Sequence, residues 1–184
     1  MLNRIFIAVA PPDGAKDEIA NVRTPLAGLP ARWVPRENLH ITFAFLGNMS
    51  DAEVEKLGAT LQEVVRGVQE FSLMLSRVVY GPDASDPRMI WAVGEAPQEF
   101  LRLEEAFAKA WPLWRGEGGS VVHMTLVRLN AFAFRRMEEE ERPIVERDIH
   151  IEIPVRSLEI MKSELERGGA RYTILRSVPL LSSR

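Results

Sequence analysis

Residues 4 to 9 read RIFIAV, a continuous apolar run that suits a buried strand, and the PPDG behind it is a turn and helix-start signal. Ala15, Ile19, Val22 and Leu26 then recur at helical spacing, with Pro25 placed to bend or end that helix early. ARWVP, at 31 to 35, reads as a short strand. LHITFAFL, at 39 to 46, alternates: Leu39, Ile41, Phe43 and Phe45 fall on one face and His40, Thr42 and Ala44 on the other, and the aromatic face is assigned to the core. Ser50 with Glu53 makes a capping box, and Val54, Leu57, Leu61, Val64 and Val68 continue it as an amphipathic helix. Strands are predicted at 71 to 79 and 88 to 94 around the loop YGPDASDP, followed by a helix whose inner face is Phe100, Leu103, Phe107 and Trp111.

Beyond the Gly-rich RGEGGS comes VVHMTLV, at 121 to 127, with Val121, His123, Thr125 and Val127 on one face and Val122, Met124 and Leu126 on the other. The last third is strand-rich. HIEIPV, SLEIMKSEL and RYTILRSVPL follow one another, and the turn RGGA predicts a hairpin between the last two. The order is β-α-β-β-α-β-β-α-β and then mostly strands, with no long Ser-, Pro- or Gly-rich linker. This predicts one α+β domain over residues 1 to 184.

Composition narrows the chemistry. The chain has 184 residues, 46% of them hydrophobic and 27% charged, which is the balance of a globular protein. It has no cysteine, so disulfide frameworks, thiolate metal sites and cysteine nucleophiles are excluded. The apolar runs are too short for a membrane span, and the first one lacks the length and cleavage pattern of a signal peptide; a cytoplasmic setting is expected. A net charge of −3 argues against long nucleic acid as a partner but leaves a nucleic-acid end open.

The chain has three histidines and five threonines, yet two histidines carry a threonine two places on: His40 with Thr42, and His123 with Thr125. On a strand, residues i and i+2 lie on the same side about 7 Å apart, so each element offers an imidazole beside a hydroxyl. Imidazole titrates near neutrality and serves as acid or base. Two such pairs across a cleft fit in-line displacement at phosphorus: one imidazole takes a proton from water, the other protonates the departing alkoxide, and the hydroxyls hold the non-bridging oxygens. No cofactor is needed. A strained five-membered cyclic phosphate is an apt substrate.

The stretches RIFIAVAPP, WVPRENLHITFAFLG, PRMIWAVG, VVHMTLVR and SELERGGARYTIL together resemble the two-histidine phosphoesterase superfamily, in its RNA 2′,3′-cyclic phosphodiesterase (2′-5′ RNA ligase) branch. The resemblance implies a bilobal α+β fold, two pseudo-symmetric lobes whose antiparallel sheets face a central cleft. It implies hydrolysis of RNA 2′,3′-cyclic phosphate ends to 2′-phosphates, with reversible 2′-5′ RNA ligation, by a monomer. His40 would then be the acid for the leaving 3′ oxygen and His123 the base for water, with Thr42, Thr125 and Arg128 on the phosphate. Strict alternation sets Arg128 on the opposite face from His123, so a bulge or strand end is required there. The chain departs from the family in having Val121 and Val122 before the second element and Ala44 after the first, where basic residues or Arg-Pro are usual; both losses thin the positive charge at the cleft.

Other readings weigh less. A zinc or iron site lacks a carboxylate at i+2 or i+4 of either histidine, and acyl transfer lacks a G-x-S-x-G elbow. A non-catalytic binder of nucleotides or RNA ends is the rival from another class, and turnover of a cyclic phosphate discriminates the two. His150 alternates with Ile149 and Ile151 and is assigned to an exposed face, while Trp33, Phe43, Phe45 and Trp91 are assigned to the core rather than to base stacking.

Overall fold

β1 (Asn3–Val9) explains the unbroken apolar run at its start, because it is covered on both faces. Ile5, Ile7 and Val9 enter the main core, while Phe6 and Ala8 join Met161 in a smaller cluster on the other side. The computed structural model describes residues 2–22, 29–114, 116, 121–167 and 169–182, with Pro25, Leu26 and most of RGEGGS outside them. The elements after β1 are α1 (Asp13–Asn21), β2 (Ala31–Trp33), β3 (Ile41–Met49), α2 (Asp51–Val64), β4 (Phe71–Gly81), β5 (Met89–Glu95), α3 (Gln98–Ala110), β6 (Val121–Leu129), α4 (Ala131–Arg135), β7 (Arg147–Val155), β8 (Ser157–Glu166) and β9 (Gly169–Pro179). That is the predicted order with one addition, the short α4, which the Asn130 side chain caps by accepting from the Ala133 amide.

The strands run β7-β4-β5-β6-β3-β1-β8-β9, each pairing antiparallel with its neighbour, and β2 adds to β6. Two four-stranded halves are thereby joined at β3 and β6, where Ile41 pairs with Met124. This is the bilobal, mostly antiparallel α+β architecture expected. One face of the sheet is covered by helices: α2 and α3 pack together, and Phe43 of β3 meets Phe100 and Phe107 of α3 with ring centroids 5.4 and 5.7 Å apart. α2 begins at the predicted capping box, in which the Ser50 side chain accepts from the Glu53 amide and the Glu53 carboxylate accepts from the Ser50 amide. α1 stops at Asn21, and Arg147 of β7 donates to the Val22 carbonyl at 2.6 Å, satisfying an end carbonyl. Among the described residues no helix is long and apolar enough to cross a membrane.

Gly94, buried in β5, marks a close approach of two backbones: a Cβ there would lie 1.7 Å from the Met74 carbonyl oxygen. Gly94→Ala must push β4 and β5 apart, and a loss of roughly 3 kcal/mol is expected, the upper range for overpacking. Urea unfolding measures it; an unchanged midpoint contradicts the close approach.

Candidate active site

A single register brings the two H-x-T elements together. Ile41 and Met124, the pair joining the lobes, are both fully buried on the helix-covered face. Successive strand side chains point to opposite faces, so their flanking residues His40, Thr42, His123 and Thr125 turn to the open face. Antiparallel pairing continued from Ile41 and Met124 sets His40 across from Thr125 and Thr42 across from His123. All four line one cavity of about 700 Å³, walled by β1, β3, β8 and β9 from one lobe and β5 and β6 from the other.

Two bulges decide what else reaches it. In β3, Ile7 pairs with Ala44 and Ala8 with Thr42, leaving Phe43 as an extra residue. Phe43 and Ala44 both enter the core, and Phe45 emerges on the open face, 50% exposed and lining the cavity. Strict alternation had exchanged Ala44 and Phe45. In β6, Ile90 pairs with Val127 and Trp91 with Thr125, leaving Leu126 extra. Leu126 and Val127 are both buried, and Arg128 comes round to the face of Thr125. The bulge that Arg128 requires is present, and it moves Val127 off the face of His123 into the core.

The two histidines are held differently. His40 follows a 3₁₀ turn, Arg36–Asn38, which Arg36 ties to α1 through Asp17 at 2.6 Å and Asp13 at 3.3 Å. Asn38 is buried and donates its side-chain amide to the Ala170 carbonyl of β9 at 2.7 Å. Its own carbonyl accepts from His40 Nδ1 at 2.7 Å. That bond fixes Nδ1 as the protonated nitrogen of the neutral ring and leaves Nε2 for a ligand. Phe6 and Tyr172 flank the ring at centroid distances of 5.0 and 5.1 Å. His123 instead lies against the Trp91 indole, centroids 4.1 Å apart and planes 24° off parallel. Gly81 makes room for that indole, since a Cβ there would come within 2.5 Å of it. Trp91, assigned to the core from sequence, is thus a cavity wall; Trp33 remains packed against the core.

Burial pushes both imidazoles below their ordinary value of 6.5. For His40 the Asn38 carbonyl opposes burial by favouring the charged ring, while the positive charge of Arg128 and the proximity of His123 add to the lowering. Thr125 and Arg128 both point a donor at the Met89 sulfur, at 3.9 and 3.7 Å. A thioether is a weak acceptor, so both donors are available to a better one.

Although the chain is net negative, the charged side chains lining the cavity are Arg4 and Arg128, and among the described residues neither has a carboxylate within ion-pair distance. No group of three His, Asp or Glu side chains converges anywhere among those residues. Two imidazoles, two hydroxyls and two guanidiniums thus line the cavity, a set of groups whose chemistry suits an anion. His150 is exposed on β7 and stands apart from it, as expected. Sequence reasoning assigned no role to Arg4, Phe6, Asn38 or Tyr172. The Asn38 contribution to His40 is a main-chain carbonyl, which leaves no mark in a sequence.

The chain is similar to known proteins in sequence and in fold. The family model described as LigT-like phosphoesterase matches residues 9–91. A protein of Thermus thermophilus named RNA 2′,3′-cyclic phosphodiesterase is 29% identical, covering 96% of this chain and 90% of its own length. The crystal structure of TT0787 from the same organism superposes with a TM-score of 0.82 at 26% identity, covering 98% of this chain and all of the other. Escherichia coli LigT complexed with 3′-AMP superposes with a TM-score of 0.75 at 26% identity, covering 98% and 99% of the two chains.

Proposed function

From the match of residues 9–91 to the LigT-like phosphoesterase model and the likeness to proteins named RNA 2′,3′-cyclic phosphodiesterase, we propose that the chain is a member of that family and hydrolyses 2′,3′-cyclic phosphate ends of RNA to 2′-phosphomonoesters by paired-histidine catalysis without a metal. The observation that carries this reading is the shared cavity: two imidazoles and two hydroxyls from opposite lobes, joined by the Arg128 guanidinium, which has no carboxylate partner among the described residues.

His123 takes a proton from water, whose oxygen forms a new bond to phosphorus as the bond to the 3′ oxygen breaks. His40 gives its Nε2 proton to that leaving oxygen. The Asn38 carbonyl supports this division of roles, because of the influences on the two rings it is the one that favours an imidazolium, and it acts on His40. Arg128 opposes that charge, but a bound phosphate anion would pair with Arg128 and cancel the opposition. Thr42, Thr125 and Arg128 hold the non-bridging oxygens as charge builds on them. With the 5′ hydroxyl of a second RNA end in place of water, the same proton transfers in the same direction displace the 3′ oxygen and join the two ends through a 2′-5′ linkage.

Incubation with nucleoside 2′,3′-cyclic phosphates in EDTA tests the proposal. Turnover to the 2′-phosphomonoester is expected at nearly the rate seen without chelator. Activity lost in EDTA and restored by zinc or manganese contradicts the metal-free scheme, a 3′-phosphate product reverses which oxygen leaves, and binding without any product makes the protein a nucleotide-end binder instead.

A further inference from the structure

Resting on that reading of the site, we propose that Arg4 receives the phosphodiester on the 5′ side of the terminal nucleoside, so that the cleft prefers the 3′ end of an RNA strand to a free nucleoside cyclic phosphate. A cyclic phosphate occupies both the 2′ and 3′ oxygens of its ribose, so the next phosphate of the strand hangs from the 5′ oxygen. A cavity of about 700 Å³ is far larger than the phosphate alone requires. Its walls continue past the histidines along the face of β1, where Phe6 lies against His40 and Arg4 is two residues further on the same face. One strand period is roughly 7 Å, comparable to the step between successive phosphates of an extended single strand.

Arg4 is also chemically free for this role. Its cationic neighbours on β8 and β9 are held by carboxylates, Lys162 by Glu164 at 2.9 Å and Arg171 by Glu166 at 3.5 Å. Arg4 is exposed, lines the cavity and has no such partner among the described residues. Phe45 and Leu165, 50% and 83% exposed, give the wall beside it an apolar surface for a sugar and base. In the other direction, toward Trp33 and Pro35, a side pocket of about 160 Å³ has room for a ring but not for a further nucleotide. The strand therefore continues toward Arg4.

Titration calorimetry with two product analogues decides the matter: adenosine 2′-phosphate, and the dinucleotide ApA carrying a 2′-phosphate at its 3′ end. The wild-type chain is expected to bind the dinucleotide about fivefold tighter at low salt, near the upper worth of an exposed ion pair. The margin should shrink as salt screens it. Arg4→Gln should erase the margin while leaving adenosine 2′-phosphate binding unchanged, and Arg4→Lys should restore part of it. An equal loss for both ligands, which would put Arg4 on the terminal phosphate or on the fold, overturns the proposal, and so does no loss for either. Hydrolysis of adenosine 2′,3′-cyclic phosphate and of ApA ending in a 2′,3′-cyclic phosphate is measured separately on the same proteins: a wild type that turns over neither refutes the phosphoesterase reading, while calorimetry still decides the role of Arg4.

Discussion

His40→Ala and His123→Ala are each expected to lower kcat by on the order of 10² to 10⁴, the usual worth of a positioned acid or base. The side chains come from opposite lobes and line one cavity, so neither can be replaced by a neighbour: the third histidine, His150, is on β7 and outside it. The double substitution should cost much less than the product of the two single effects, because the acid is useful only while the base is delivering water. His150→Ala should be nearly silent. Both rings are only partly buried, so the variants should stay folded, which circular dichroism can verify. A nitrophenyl ester, whose leaving group needs no proton, separates the roles. It should rescue His40→Ala and not His123→Ala. Rescue of the His123 variant instead reverses acid and base, and rescue of neither in folded protein makes phosphate positioning the better account of both imidazoles.

The elements and the central four residues of the site were legible in the sequence because they follow from period. Alternation in β3 and β6 puts His40, Thr42, His123 and Thr125 on polar faces, and the capping box at Ser50 and the apolar stripe of α3 announce their helices. Alternation failed where the strands are bulged. One extra residue at Phe43 exchanged Phe45 with Ala44, and one at Leu126 sent Val127 inward and Arg128 outward. A bulge is a mismatch between two strands, so a single strand's sequence contains half of the information that specifies it. The Arg128 case was partly readable because a charged residue at an inward position demands an explanation, whereas Phe45 at an inward position does not. Trp91 illustrates the same limit: indoles are ordinarily core residues, and its place against His123 depends on Gly81 of the neighbouring strand. α4 is too short for periodicity to show it, and its mark is the cap at Asn130.

The pH dependence of kcat/KM should be bell-shaped with its maximum on the acid side of 6.5. This quantity reports the free enzyme, in which burial pushes both His40 and His123 below the ordinary imidazole value of 6.5. The base must be neutral, so activity rises as pH increases through the lower of the two values. The acid must be protonated, so activity falls, eventually tenfold per unit, as pH increases through the higher. Since both values lie below 6.5, the fraction carrying one proton on the pair peaks below it. The limbs belong to the coupled pair rather than to single residues. Arg128 supplies a second, sharper test, because its charge is among the causes that hold His40 down. Arg128→Gln removes that charge, so the profile should move to higher pH even as the variant loses affinity for phosphate. A maximum above pH 7 for the wild type, or an Arg128→Gln profile displaced toward acid, would overturn the assignment of the profile to this pair of imidazoles.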